Sequence, residues 1–239
     1  MTKATAYHRP ATVDEAVALL SEPGRVVLAG GTAVNDRTVG IPGLDPGETS
    51  VEVVDIQALG LDGIDGDAGE LTIGAATTLQ ALVDSDAVPD LIRELARAEL
   101  PSTLRNSATI GGLVAAGQGE SPLQAALLVH GAGATRVGPN DELLTAVSIS
   151  TGGVGAWSGT GRTPADTPIV SAVGRRDADG VIHLALTGVA AAPMLVDSAD
   201  PTGGLAPPAD FRGSTEYRIE LARVYGKRAL ARAFREASA

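Results

Sequence analysis

Hydrophobic and polar positions along this chain follow first a helical and then a strand period, and the switches between the two divide it. Over 13–20, Ala16, Val17, Leu19 and Leu20 form one apolar side of a helix. Thr12 and Glu15 stand ahead of it three residues apart, the spacing at which a hydroxyl and a carboxylate satisfy the open amides of a helix start. "EPG" predicts its stop near Ser21. "RVVL" (25–28) reads as a short buried strand running into Gly30-Gly31. "SVEVVDI" (50–56) and "ELTIGAATT" (70–78) read as two more strands, the latter introduced by the turn signal "GDAG". Thr78 is placed to cap a short helix through Val83. Residues 88–100 gather Leu91, Ile92, Leu95 and Ala96 on one helical face, with Pro89 near the first position and Pro101 at the end.

A second glycine pair, Gly111-Gly112, follows Ala108-Thr109-Ile110, and "SPLQAALLVHGAG" then reads as a buried helix stopped by glycine. From about 151 the character changes. Residues 151–163 read as a glycine-rich loop. Residues 167–176 and 181–192 flank "DADG" as a β-hairpin, and 197–214 read as an extended linker. Residues 214–237 predict a long amphipathic helix capped by Ser214, with Tyr217, Leu221, Val224, Ala229 and Phe234 on its buried stripe. Tyr217, Tyr225 and Phe234 suit core packing better than an interface. No internal repeat appears. Helices and strands without regular βαβ spacing predict an α+β arrangement of two subdomains rather than a doubly wound sheet.

Composition narrows the function. The chain has 239 residues, 44% hydrophobic but only 3% aromatic, so its core is built mainly of Ala, Val, Leu and Ile. A net charge of −11 argues against nucleic acid or an anionic membrane as partner. With no cysteine, the chain holds no disulfide, thiolate zinc site or iron–sulfur cluster of its own. The first ten residues lack the apolar run of a signal peptide, and no run reaches membrane-spanning length, which points to a cytoplasmic protein.

Candidate chemistry is sparse. His8, His130 and His183 are far apart and no HExxH occurs, so no metal site is expected. There is no GxSxG elbow, no Walker lysine and no GxGxxG spacing. Glu120 and Ser121 read better as a helix start, Ser121 capping and Pro122 in the first turn, than as catalytic groups. The two Gly-Gly segments remain. Glycine permits positive φ and close backbone approach, and such turns can present amides to an anion. In a chain with 30 glycines, a plain tight turn is an equal reading on spacing alone.

Taken in order, "YHRPATVDEAVALL", "VVLAGGT", "LTIGAATTLQAL", "LRNSATIGGLVAA", "DELLTAVSI", "TPADTPIVSAVG" and "DFRGSTEYRIELARVYGKRAL" resemble the FAD-binding medium subunit of the molybdenum hydroxylases, the group that contains xanthine dehydrogenase and aerobic carbon monoxide dehydrogenase. The resemblance covers nearly the whole chain. It implies a two-subdomain FAD-binding region of vanillyl-alcohol-oxidase type over 1–150, divided near 57 and 58, and a small C-terminal domain of antiparallel strands and helices over 151–239. It implies that Ala29, Gly30, Gly31, Thr32 and Ala33 from the first segment, with Thr109, Ile110, Gly111, Gly112 and Leu113 from the second, cradle the FAD diphosphate, and that Glu120 or Ser121 stands in for a ribose-associated aspartate that aligns with Pro122. It also implies electron transfer: from iron–sulfur clusters on a small partner subunit, fed by a large molybdopterin subunit, through FAD to an external acceptor.

Ala33 and Leu113 replace polar residues usual in such chains, Ser158 aligns roughly with a lysine, and the stretch after His130 is too short for the excursion that shields the flavin ring in relatives. These departures support a second reading, a docking subunit without flavin.

Overall fold

The computed structural model describes residues 3–32, 50–67, 69–161 and 166–236. Its first layer runs β1 (Lys3–His8), α1 (Val13–Leu20), β2 (Arg25–Leu28) and β3 (Ser50–Asp55). The three strands form a parallel sheet in the order β1-β3-β2. β3 is central, so Val51, Val53 and Val54 are buried, with Glu52 between them half-buried. α1 starts as its sequence predicts: the Thr12 hydroxyl accepts from the Glu15 amide at 3.2 Å, and the Glu15 carboxylate accepts from the Ala11 amide at 2.8 Å.

The second layer runs β4 (Ile64–Gly66), β5 (Glu70–Gly74), α2 (Leu79–Asp84), α3 (Asp90–Glu99), α4 (Ser102–Arg105), α5 (Ile110–Ala116), α6 (Pro122–Val129), β6 (Gly133–Val137) and β7 (Leu143–Ser150). Its strands pair antiparallel in the order β4-β5-β7-β6. Thr78 caps α2 and Ser121 caps α6, each accepting a backbone amide at 3.1 Å. The predicted strand over 70–78 ends at Gly74, because the Ala75 and Ala76 amides turn to the Thr145 and Leu61 carbonyls. The main core lies under this layer, with Ile73, Leu79, Leu82, Ile92, Ile110 and Leu123 fully buried.

The third layer runs β8 (Val154–Thr160), β9 (Val170–Arg176), β10 (Ile182–Thr187), β11 (Met194–Val196) and α7 (Thr215–Glu236), with the strands antiparallel in the order β11-β10-β9-β8. The predicted β9–β10 hairpin is present, its turn held by the Asp177 carboxylate accepting from the Asp179 and Val181 amides. Three expectations change. The glycine-rich stretch is not a loop: Val154–Thr160 is a full strand on β9, because its glycines let α3 and β9 side chains press close, Leu91 against Gly155 and Ser171 against Gly159. The segment over 197–214 is not a loose linker but is pinned by Arg218 and Arg212, which bind Asp210 and Glu120. On α7, Tyr217 and Phe234 are exposed and Val224 is half-buried. The buried stripe is Arg218, Leu221, Ala222, Tyr225, Ala229 and Ala233, one step round the helix from the expected one.

Candidate functional site

The two glycine segments meet. Gly30 follows the end of β2, and a Cβ there would overlap the Ser107 carbonyl and stand 3.1 Å from the Ala108 nitrogen, so only glycine lets the segments touch. Gly31 has φ +70°, the left-handed conformation that favours glycine. The Gln57 side-chain amide donates to the Ala29 carbonyl at 2.7 Å and fixes the approach to the bend.

The second segment differs from its expected form. It is the first turn of α5, capped by the Thr109 hydroxyl, rather than an open turn after a strand. It is stitched to 75–79: Ile110 donates to the Thr77 carbonyl, Gly111 to the Ala75 carbonyl, and Leu79 to the Ala108 carbonyl. The Gly112 amide donates to Thr109 Oγ1 at 3.1 Å. With the Leu113 amide donating to the Thr109 carbonyl, four amides are therefore used inside the chain, and the segment offers a shaped surface rather than a row of open donors. Gly111 is required by packing, since a Cβ would lie 2.7 Å from the Ala75 carbonyl oxygen.

Two cavities flank this meeting point. One, of about 390 Å³, lies between the first and second layers and reaches Ala29, Gly30, Gly31 and Gly111, with Arg25 and Arg136 in its wall. The other, of about 490 Å³, lies between the second and third layers and reaches Leu113, Ser121, Glu99 and Trp157. Thr32, Thr109 and Gly112 line both. Of the sequence-predicted site residues, nine thus line one or both cavities. Ile110 is fully buried in the core beneath them, and Ala33 lies outside the described residues.

Glu99, Trp157, Arg25 and Arg136 are site residues that sequence reasoning missed. Glu99 sits at the last turn of α3 with Oε2 out of solvent contact and without a hydrogen-bond partner. Burial pushes its carboxyl pKa up, against the neighbouring Ser121 hydroxyl and Leu123 amide, which favour the anion. Arg25 is neutralised by Glu52, which also binds His8, both at 2.9 Å. No period marks these four, since each reaches the cavities from a different element.

An arrangement of two cavities joined at a glycine-lined rim suits a ligand with two bulky ends and a slender anionic middle. A family model described as "FAD binding domain in molybdopterin dehydrogenase" matches residues 3–144. The chain belongs to this FAD-binding family. As a molybdopterin-dehydrogenase FAD-binding chain it is 30% identical to the carbon monoxide dehydrogenase medium chain of Afipia carboxidovorans, over 95% of this chain and 96% of that one. It is 31% identical to the uncharacterized protein YgfM of Escherichia coli K12, over 89% and 90%. The reconstituted carbon monoxide dehydrogenase of Oligotropha carboxidovorans contains a chain that superposes with a TM-score of 0.83 at 28% identity, over 98% of both. The FAD-binding family, the α+β fold and the oxidoreductase class expected from the sequence all stand. Among the described residues, no helix is long and apolar enough to cross a membrane.

Proposed function

We propose that this chain is the flavin-bearing electron-transfer subunit of a molybdenum hydroxylase-like oxidoreductase. It takes electrons from iron–sulfur clusters on a small partner subunit, which a large molybdopterin subunit supplies, and passes them through FAD to an external acceptor. The observation that carries this reading is that Thr32, Thr109 and Gly112 line both cavities, where Gly30 packs against Ser107 and Ala108. The residues fit the cofactor: side chains are absent where a diphosphate must lie close to backbone, and cavities of a few hundred Å³ are of ligand size. Residues 1–150 would form the FAD-binding region, in subdomains meeting near 57 and 58, and 151–239 the C-terminal domain.

Ala29, Gly30, Gly31 and Thr32 would hold the diphosphate from one side, and Thr109, Gly111, Gly112 and Leu113 from the other. Ile110 supports the second group from the core, Ala33 continues the first, and Ser121 lies along the larger cavity. Thr32 and Thr109 bring hydroxyls without charge. Arg136 adds a positive charge to the wall of the smaller cavity, where Arg25 is paired with Glu52. The bound flavin supplies the redox chemistry, and the protein supplies position and electrostatics.

Purification from the native source tests this reading. A yellow chain travelling with an iron–sulfur chain and a molybdopterin chain is the expected result. A folded chain that travels alone and stays colourless after incubation with FAD contradicts it.

A further inference from the structure

The three parallel strands end side by side at the first glycine segment. β2 stops at Leu28 opposite Asp55, the last residue of β3, and the Ile56 amide donates to the Leu28 carbonyl at 3.0 Å, one step beyond. Asp55 is buried, and both oxygens of its carboxylate are used. Oδ2 accepts from the Tyr7 hydroxyl on β1, and Oδ1 accepts from the Gln57 backbone amide at 2.9 Å. Gln57 is itself exposed, yet its side chain is fixed: Nε2 donates to the Ala29 carbonyl at 2.7 Å. A chain of hydrogen bonds thus runs from Tyr7 through Asp55 and Gln57 to the peptide that joins Ala29 to Gly30.

That peptide is trans, so its carbonyl and its N–H point to opposite sides. Holding the Ala29 carbonyl on Gln57 therefore turns the Gly30 N–H away from Gln57. Gln57 lines neither cavity, whereas Gly30 lines the smaller one. Among the described residues the Gly30 amide donates to no group, in contrast to the four amides of the second segment that are used inside the chain. An anion bound beyond the carboxyl ends of parallel strands is held by backbone donors that are already oriented. Resting on the FAD reading above, we infer that Gln57 is a positioning residue for the cofactor: without touching FAD, it aims the open Gly30 N–H at the diphosphate. Asp55 and Tyr7 hold Gln57 in the place from which it does so. A hydrogen bond to a charged group contributes more than a neutral one, so misaiming this donor should weaken a diphosphate ligand about 5- to 10-fold.

The test titrates the full chain, wild type and Gln57→Met, with FAD, ADP and riboflavin by calorimetry. Methionine keeps the length of the side chain, adds no charge and removes the donor. Urea unfolding of both chains without ligand is read alongside, as is the Gly30 amide resonance of 15N-labelled chain on addition of ADP. Gln57→Met is expected to weaken FAD and ADP by the same factor, about 5- to 10-fold, while riboflavin, which has no phosphate, binds as before. Because Gln57 is exposed, the urea midpoint should not move. ADP should shift the Gly30 resonance strongly in wild type and much less in the variant. Unchanged FAD and ADP affinity overturns the inference and leaves the FAD reading standing. An equal loss for riboflavin, or a lowered urea midpoint with a Gly30 resonance that ADP still shifts fully, makes Gln57 a structural residue and also overturns it. Failure of the wild type to bind FAD at all overturns the FAD reading and this inference with it.

Discussion

His130 gives a sharp test of how the layers around the cleft are held. It ends α6, is 3% exposed, and lies beside Arg175, which donates to the Val129 carbonyl at 2.9 Å from the third layer. Its Nδ1 lies 2.6 Å from the Ser150 carbonyl, which can only accept, so Nδ1 carries the proton of the neutral ring. Nε2 faces the interior without a partner. A second proton there would be an unsatisfied buried charge. Burial therefore depresses the pKa to about 4 from the ordinary 6.5, against the favourable Ser150 bond and with help from the Arg175 and His183 charges. A base depressed in the folded state is protonated more readily in the unfolded chain, so its contribution is full above pH 6.5 and is lost as pH falls toward 4. The whole shift corresponds to about 3 kcal/mol, of which about 2 kcal/mol is gone by pH 5. Urea unfolding between pH 7.5 and 5, followed by circular dichroism, reads this directly in wild type and His130→Gln, while staying above the pI of about 4.6. Carboxylates titrate in both proteins, so the difference between the two curves isolates the imidazole. Wild type should lose about 2 kcal/mol more than the variant over that range. Parallel curves would refute the burial argument.

Other perturbations follow from the same geometry. Gly30→Ala forces the two glycine segments apart by placing a methyl on the Ser107 carbonyl, so it should cost about 2 kcal/mol in urea unfolding and abolish FAD retention; unchanged flavin content would contradict the rim. Glu99→Gln removes a carboxylate whose pKa burial raises. It should therefore raise the melting temperature at pH 7.5, with the gain shrinking toward pH 5 as the wild-type group takes up its proton; a loss at pH 7.5 would show that the anion is well satisfied. Arg218→Met strips the Ile169 and Gly188 carbonyls and the Asp210 carboxylate of a buried donor. About 3 kcal/mol should be lost in urea unfolding, and a neutral result would contradict the anchoring of 197–214 by α7.

Much of the fold was legible because its caps are local chemistry. Thr12, Thr78, Ser121 and Ser214 each accept the amide three residues on, as their sequence context indicates. What escaped depends on partners distant in sequence. β1 is a strand because it pairs with β3 over forty residues away, and its alternation is too short to announce itself. β8 looked like a loop because its glycines are turn formers in isolation, whereas here they make room for packed neighbours. The register of α7 slipped because Arg218, a residue type usually outside, is inside and paired, while Tyr217 and Phe234 lie out. At the site, the glycine pairs carried a readable signal because close backbone approach leaves no substitute. Glu99 and Trp157 carried none, since a carboxylate at a helix end and a lone tryptophan have ordinary structural roles in most chains.

The account stands on one diphosphate bridging Gly30 and Gly112. The most direct measurement is a crystal structure of the chain saturated with FAD. It should show the diphosphate on the rim shared by Thr32, Thr109 and Gly112, with one ring system in each cavity. Flavin density anywhere else, or a rim closed by side chains in flavin-saturated crystals, would contradict it.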